Sequence, residues 1–506
     1  MNMLAAACSN AAVRMPYQWR KGAMDGGGYC NAMATDPTTS GHAAAAGDVW
    51  GEFATNTGGD LWFPTMTGAT SIGSIYGRAV AYSKQTPGLR YFGIGVLKSL
   101  DPTQGYLGAV GPRSLTLERR NDNIGFSTYM PDGSAHDLPR PVGNLIAVDF
   151  DAHAGREYVY MLTRQGLVRT RSAGQTLHLL GLPPVQPHAA WAALCVCPDG
   201  SLLAASFRTS DTAGSQVWRI TNPRGTATVT PVLAAPAVVE DFAVVDGVIY
   251  AACGPFGLYR VNLAGAWTQL SPSAFHGCHL SSVTGHSGVL WAGNGIGMYD
   301  HRYIAKSTNA GRTFTWTTTP SHVSYDVLGT HRDWWLASSW PGLSEHGYSV
   351  SQLAVDPANA NICYSAGRSG VVATRNGGAT WQPAMNGLDG SEIHQVQAGP
   401  GPGEAWATDT DWKGIHTTDH WRTCEQVPDP GDIPRLHAAS LVRVHNGVRY
   451  EVALSNPRQM LVNGVDVASD FFRAACITPS DLAVSKDNRI YVGLYGGGVL
   501  VGHRGV

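Results

Sequence analysis

Apolar and polar residues alternate along most of this chain with a period of two. In SQLAVDPANANICYSAG (351–367) an apolar run stops at Asp356-Pro357 and resumes through Ile362, Tyr364 and Ala366. That is the pattern of two strands around a tight turn, with Pro at a position where its fixed φ is pre-set for turning. NAMATDPTTSGHAAAAGD (31–48) repeats the plan, including Asp36-Pro37. Further strand pairs read at 145–162, 192–206, 242–254, 281–294, 394–409 and 482–502. They recur every roughly 35–60 residues, which at four antiparallel strands per unit predicts about eight to ten propeller blades. The last unit, ending GGGVLVGHR, lacks a clear fourth strand, and MPYQWRK (15–21) is the candidate to supply it and close the ring. Helical periodicity is almost absent.

Between strand pairs a short phrase repeats. TNTGGDLW (55–62), STNAGRTF (307–314) and TRNGGATW (374–381) share Ser/Thr, any residue, a small polar residue, any residue, Gly, two further residues and an aromatic. TRSAGQTL (170–177) and TTDHWRTC (417–424) are worn copies. The chemistry suits a hairpin turn. The polar side chain accepts backbone N–H groups ahead of it, the hydroxyl adds a second local bond, and Gly takes φ > 0 without strain. The aromatic starts the next strand and packs between sheets. The phrase resembles the Asp-box, or BNR repeat, of sialidase-like β-propellers. The resemblance implies a folding role at the rim away from the ligand face, not a catalytic one.

A more specific resemblance lies in YQWRKGAMDGGGYCNAMATDPTTSGHAAAAGDVWGEFATNTGGDLW (17–62), in 348–381 and in TDTDWKGIHTTDHWRTC (408–424). These look like segments of xyloglucanase-type, two-propeller glycoside hydrolases. In that family the Asp of a first Asp-x-Gly-Gly segment is one of two catalytic carboxylates. The matching residue is Asp48, with Trp50 standing where the family has Gly. No clean counterpart of the second carboxylate exists. Asp411 repeats the Asp-x-x-Gly spacing of Asp48, and Asp333 in THRDWW is another option. The chemistry needs two carboxylates facing across a sugar, about 6.5–9.5 Å apart for an inverting pair. Asp48 also fits a plain turn or strand-end role. Family members are longer, with two seven-bladed rings, so here either blades are missing or one larger ring forms. The Arg-Ile-Pro motif of sialidases has no match, WRITNP (218–223) lying mid-chain, and sialidase chemistry is not expected.

The stretch 321–348 has no blade periodicity and is rich in aromatics: Tyr325, Trp334, Trp335, Trp340 and Tyr348. Long loops of this kind are functional or disordered, and the aromatic content argues against disorder. Indole faces can stack on sugar rings, and Trp50 and Trp412 can extend the same surface. The alternative is that these rings pack between blades or cover the channel.

Composition narrows the partners. Only 14% of the 506 residues are charged and the net charge is −2, which argues against nucleic-acid binding. No apolar run is long enough to span a membrane. The nine cysteines are scattered, without Cys-x-x-Cys, and read as buried free thiols. Neither Cys195 with Cys197 nor HGCH (276–279) makes a convincing metal site, and no cofactor is expected. MNMLAAACSNAAVR lacks the basic n-region of a signal peptide. We therefore expect an N-terminal extension (1–14) and a propeller over 15–506, as one ring or as two lobes, about 15–320 and 349–506, joined by 321–348. Two functions remain open. One is a glycoside hydrolase on a β-glucan-like polysaccharide. The other is a non-catalytic propeller binding glycan or protein at a cell surface, or within a larger assembly such as a phage tail or virion, reached without ordinary secretion.

Overall fold

The alternating segments fold as strands, and they assemble into ten four-stranded antiparallel sheets. The computed structural model describes residues 17–21, 30–47, 51–64, 76–95, 105–110, 118–122, 145–163, 166–171, 177–182, 189–208, 216–232, 235–236, 238–295, 302–317, 350–367, 370–384, 393–409, 413–422, 424–426, 440–454, 458–476, 479–494 and 498–504. Nine sheets use four consecutive strands each. In chain order they span 30–64, 76–122, 146–179, 189–231, 241–270, 280–316, 350–383, 393–426 and 442–466. The tenth joins Pro479–Val484, Ile490–Leu494 and Gly498–Arg504 to the N-terminal strand Tyr17–Lys21, with Tyr17 opposite Arg504 and Lys21 opposite Leu500. The early strand thus supplies the fourth strand that the last unit lacks. The described helix Asp470–Ala475 is capped by Ser469, whose side chain accepts the N–H of Phe472.

The Asp-Pro turns form as their sequence dictates. Asp356 Oδ1 accepts the N–H groups of Ala358 and Asn359, and Asp36 Oδ1 accepts the N–H and hydroxyl of Thr38. Both carboxylates also reach the neighbouring sheet. Asp356 Oδ2 accepts Ser40 Oγ and Gly41 N, and Asp36 Oδ2 accepts Gly88 N. Each is buried, so every such bond offsets a desolvation cost that an unpaired carboxylate would carry.

The repeated phrase folds in one way in its described copies. In 307–314 the Ser307 hydroxyl accepts the N–H groups of Asn309 and Gly311, while Asn309 Oδ1 accepts Thr313 N. Thr374, Asn376, Gly378 and Thr380 repeat these bonds. In 55–62 a hydroxyl replaces the carboxamide, Thr57 Oγ1 accepting Leu61 N. In 417–424 Trp421 takes the Gly position at φ +61° and still donates its N–H to Thr417 Oγ1. Trp62 and Trp381 are buried and bond across sheets, to Ala384 O and Thr317 Oγ1.

The first strand of each sheet packs against the first strand of its neighbour. Sheets one to seven follow one another in chain order, and the first strand of the seventh, Val350–Asp356, also packs on that of the first, Cys30–Thr35. The joints have a direction. Asp241 of the fifth sheet accepts Val283 N of the sixth, Ser282 of the sixth accepts Leu353 N of the seventh, and Gln352 of the seventh accepts Met33 N of the first. The remaining three sheets do not follow chain order. Ser440 O, just before the ninth, accepts Leu482 N of the tenth, and Asp481 of the tenth accepts Val396 N of the eighth. The order in space is ninth, tenth, eighth.

The eight cysteines among the described residues are buried and unbridged. Cys195 is held well above its ordinary pKa by a hydrogen bond with Cys197 and by burial, a setting for an inert thiol. Among the described residues no three His, Cys, Asp or Glu side chains converge to hold a metal ion. None of the described helices is long and apolar enough to cross a membrane.

Candidate functional site

Strand polarity fixes two ends for each sheet. The connection between second and third strands leaves at the end where the fourth strand departs for the next sheet, because successive strands are antiparallel. The repeated phrase, between third and fourth strands, turns at the opposite end. The segment 48–50 joins the second and third strands of the first sheet, with Gly47 opposite Gly51. The segment 410–412 makes the same connection in the eighth, with Asp409 opposite Lys413. The segment 318–349 runs from the fourth strand of the sixth sheet to the first of the seventh. Asp48, Trp50, Asp411, Trp412, Tyr325, Asp333, Trp334, Trp335 and Trp340 all lie outside the described residues. Their described flanks belong to the corresponding end of their sheets.

At the foot of the 48–50 connection stands Glu52, fully buried on the third strand of the first sheet. Its Oε1 accepts Nε of Arg90 at 2.7 Å, and Arg90 Nη1 donates to Gly88 O. Burial pushes the Glu52 carboxyl up to about 7, with Arg90 pulling against it. A carboxyl poised near neutrality has the protonation range of a general acid. Its burial and its bond to Arg90 instead make it a strut between the first and second sheets.

A second acid–base pair lies at the same end of the fifth and sixth sheets. Glu240 immediately precedes the first strand of the fifth, and its carboxylate meets His279 Nε2 at 2.5 Å. His279 immediately precedes the first strand of the sixth. Its backbone is clamped, the N–H donating to Asn294 Oδ1 and the carbonyl accepting Gly295 N. Gly254, at φ +51°, backs the imidazole, and a Cβ there would come within 3.1 Å of His279 Cε1. Glu240 is nearly excluded from water, while the His279 side chain keeps 20% exposure. A carboxylate bonded to one ring nitrogen fixes the tautomer of an imidazole and stabilises its protonated form. The pair therefore holds the imidazole in one orientation at a partly open position.

Sequence reasoning weighed His279 only as a metal ligand within HGCH and missed Glu240 altogether. Glu240 and His279 are 39 residues apart, and no local pattern announces the contact. The usable signal was position, since each residue stands directly before the opening strand of successive repeats.

Comparison with known proteins found no matching family model and no match among curated sequences. Solved structures do match. The GH74 xyloglucanase of Xanthomonas campestris superposes with TM-score 0.62 at 15% identity, over 96% of this chain and 100% of that one. A GH74 enzyme of Niastella koreensis gives TM-score 0.65 at 14% identity, over 96% of this chain and 73% of that one. An ancestral GH74 enzyme gives 0.51 at 13% identity, over 95% and 68%. At these identities the likeness shows the fold alone, that of a β-propeller, and leaves the chemistry to the site.

Proposed function

We propose that this chain is a carbohydrate-directed β-propeller that cleaves a β-glucan-like polysaccharide, with Asp48 as one of two carboxylates serving as acid and base. The observation that carries the reading is the shared end of the sheets. The connections holding Asp48 with Trp50 and Asp411 with Trp412 are equivalent three-residue hairpins in two different sheets. The aromatic 321–348 segment departs from that same end. Carboxylates beside indoles are the groups that glycosidic cleavage requires, one to protonate the leaving oxygen and one to activate water. The likeness to GH74 enzymes supports the same reading.

The architecture behind it is a closed ring of seven blades over 30–384 and a further group of three sheets, of which the eighth and tenth share one apolar cluster with the first and seventh. The packing of the seventh sheet on the first supports closure, and the lobe boundary then falls between 384 and 393 rather than within 321–348.

The test is a panel of polysaccharides, xyloglucan and mixed-linkage glucan included, assayed for new reducing ends with the native chain and with Asp48→Asn. Activity that disappears in the variant supports the reading. A well-folded chain that releases nothing but retains affinity for one of these glycans replaces it with a non-catalytic glycan-binding role.

A further inference from the structure

Two donors buried in the joint between the third and fourth sheets, Tyr160 Oη and Arg169 Nε, have no hydrogen-bond partner among the described residues. Tyr160 lies on the second strand of the third sheet and Arg169 on its third strand, directly opposite. Residues opposed in this way share a face of the sheet, with Cβ atoms about 4.5–5.5 Å apart. That face looks toward the fourth sheet. From it Arg169 Nη1 donates to Pro223 O at 2.7 Å and to Gly225 O at 3.3 Å, in the turn between the third and fourth strands of that sheet. The ring of Tyr158, stacked beside that of Tyr160, lies 5.9 Å from the guanidinium of Arg224 in the same turn. Tyr160 is fully shielded from water and Arg169 is 7% exposed.

The charges in this joint are not matched at contact distance. Arg224 meets Asp149 at 2.7 Å and Asp151 at 3.3 Å, so these two carboxylates are committed to it. Arg169 bonds to carbonyls, which satisfy its N–H groups without neutralising its charge. A guanidinium so nearly removed from water is costly unless an anion pairs with it. Burial, with Asp149 adding to it, holds the Tyr160 phenol well above its ordinary pKa, so its hydroxyl keeps its proton and remains a donor. Two adjacent donors, one of them charged, are the complement of an anion. The walls say which kind. Trp191, Leu194, Trp218 and Ile220 belong to the apolar cluster that holds Tyr160, and the one indole N–H whose bond is defined, that of Trp191, is spent on Thr163 O. Such walls offer nothing to the further oxygens of a sulfate or phosphate. We propose that the joint between the third and fourth sheets holds a monatomic anion of chloride size between Tyr160 Oη and Arg169 Nε, and that this ion braces the joint. A water molecule would accept the same two donors but would leave the charge of Arg169 uncompensated.

A ligand that binds the folded chain alone raises its stability by mass action, and bromide is the probe. Unfolding of the full-length chain is followed by calorimetry while bromide replaces gluconate, an anion too large for the site, at constant ionic strength. The unfolding midpoint is expected to rise with bromide and to level off as the site fills. Tyr160→Phe keeps the ring and removes one donor, and it is expected to lose most of that rise. Screening by salt acts on both chains alike, so an equal rise in native and variant overturns the proposal. A native midpoint indifferent to bromide overturns it as well. If Tyr160→Phe fails to fold, crystals of the native chain grown in bromide decide. Anomalous scattering is expected between Tyr160 Oη and Arg169 Nε, and a water molecule at that position overturns the proposal.

Discussion

The proposed closure of the seven sheets into a ring makes a quantitative prediction at Trp62. This indole is buried at the seam of the first and seventh sheets, within one apolar cluster with Tyr364 and Ala384, and its Nε1 donates to Ala384 O at 2.7 Å. Trp62→Ala removes the ring and leaves a cavity, a change that costs about 3–5 kcal/mol in a well-packed core. It also strips the Ala384 carbonyl of its donor, at about 1 kcal/mol or more. Trp62→Phe keeps most of the apolar contact and should cost about 1–2 kcal/mol, mainly the lost hydrogen bond. If 30–384 unfolds as one unit of about 350 residues, its unfolding entropy is roughly 0.7 kcal/mol/K. Trp62→Ala then lowers the main transition by about 6–9 °C, and the transition stays single. Calorimetry reads the shift, and hydrogen exchange reads where protection is lost. A ring spreads the loss over all seven sheets, because breaking one seam frees both neighbours. The reasoning is refuted if the main transition does not move and faster exchange is confined to 30–64 and 350–383, since that is how the two ends of an open stack would fray.

Other predictions follow from single residues. Asp48→Asn should lower any polysaccharide-cleaving rate by about 10²–10⁴-fold, the usual contribution of a positioned acid or base, with the thermal transition unchanged as the control. Glu52 has a raised carboxyl pKa, so its stabilising contribution is complete below the ordinary carboxylate range and is lost as pH climbs through about 7. Denaturant titrations should accordingly show Glu52→Gln gaining on the native chain by about 2–3 kcal/mol from pH 5 to pH 8, and a constant difference between them contradicts the assignment. Gly254→Ala puts a Cβ within 3.0 Å of Val238 and 3.1 Å of His279 in a backbone region that disfavours side chains. It should cost about 1–2 kcal/mol and loosen the contact of His279 with Glu240, read as a change in the imidazole ring-proton signals by NMR.

Much of the architecture was legible because its signals are local. Alternation marks the strands, Asp356-Pro357 and Asp36-Pro37 mark the turns, and the Ser/Thr-to-Gly phrase marks a hairpin whose bonds are internal to eight residues. The copies that departed from consensus were legible as turns but not in mechanism. Thr57 serves where Asn309 and Asn376 serve elsewhere, and Trp421 accepts a left-handed backbone because Thr417 still holds its N–H. The order of sheets was not legible. Nothing near Asp481 indicates that it bonds Val396, 85 residues earlier, and chain order alone would have placed the eighth beside the ninth. At the site, the position of Asp48 in a connection between second and third strands could be read from the repeat, whereas the contact between Glu240 and His279 depends on two sheets meeting.

The strand Tyr17–Lys21 carries a consequence for how the molecule is put together. It pairs with Gly498–Arg504, so everything between it and the eighth sheet is inserted into the smaller group of sheets. The seven-sheet body is a guest within a host whose first strand is made before the guest and whose remaining strands are made after it. During synthesis the guest can fold as soon as residue 384 has emerged, as domains generally do. The host strand must wait, with Tyr17 and Trp19 unpacked, until Gly498–Arg504 has been made. A nick between 21 and 30 in the finished protein would leave that strand held without a covalent link, by its five residue pairs with Gly498–Arg504, by Trp19 against Phe472 and on Val467 O, and by Arg20 on the carbonyls of His420 and Trp421. Supplied separately as a peptide, the same strand should restore a chain that lacks it.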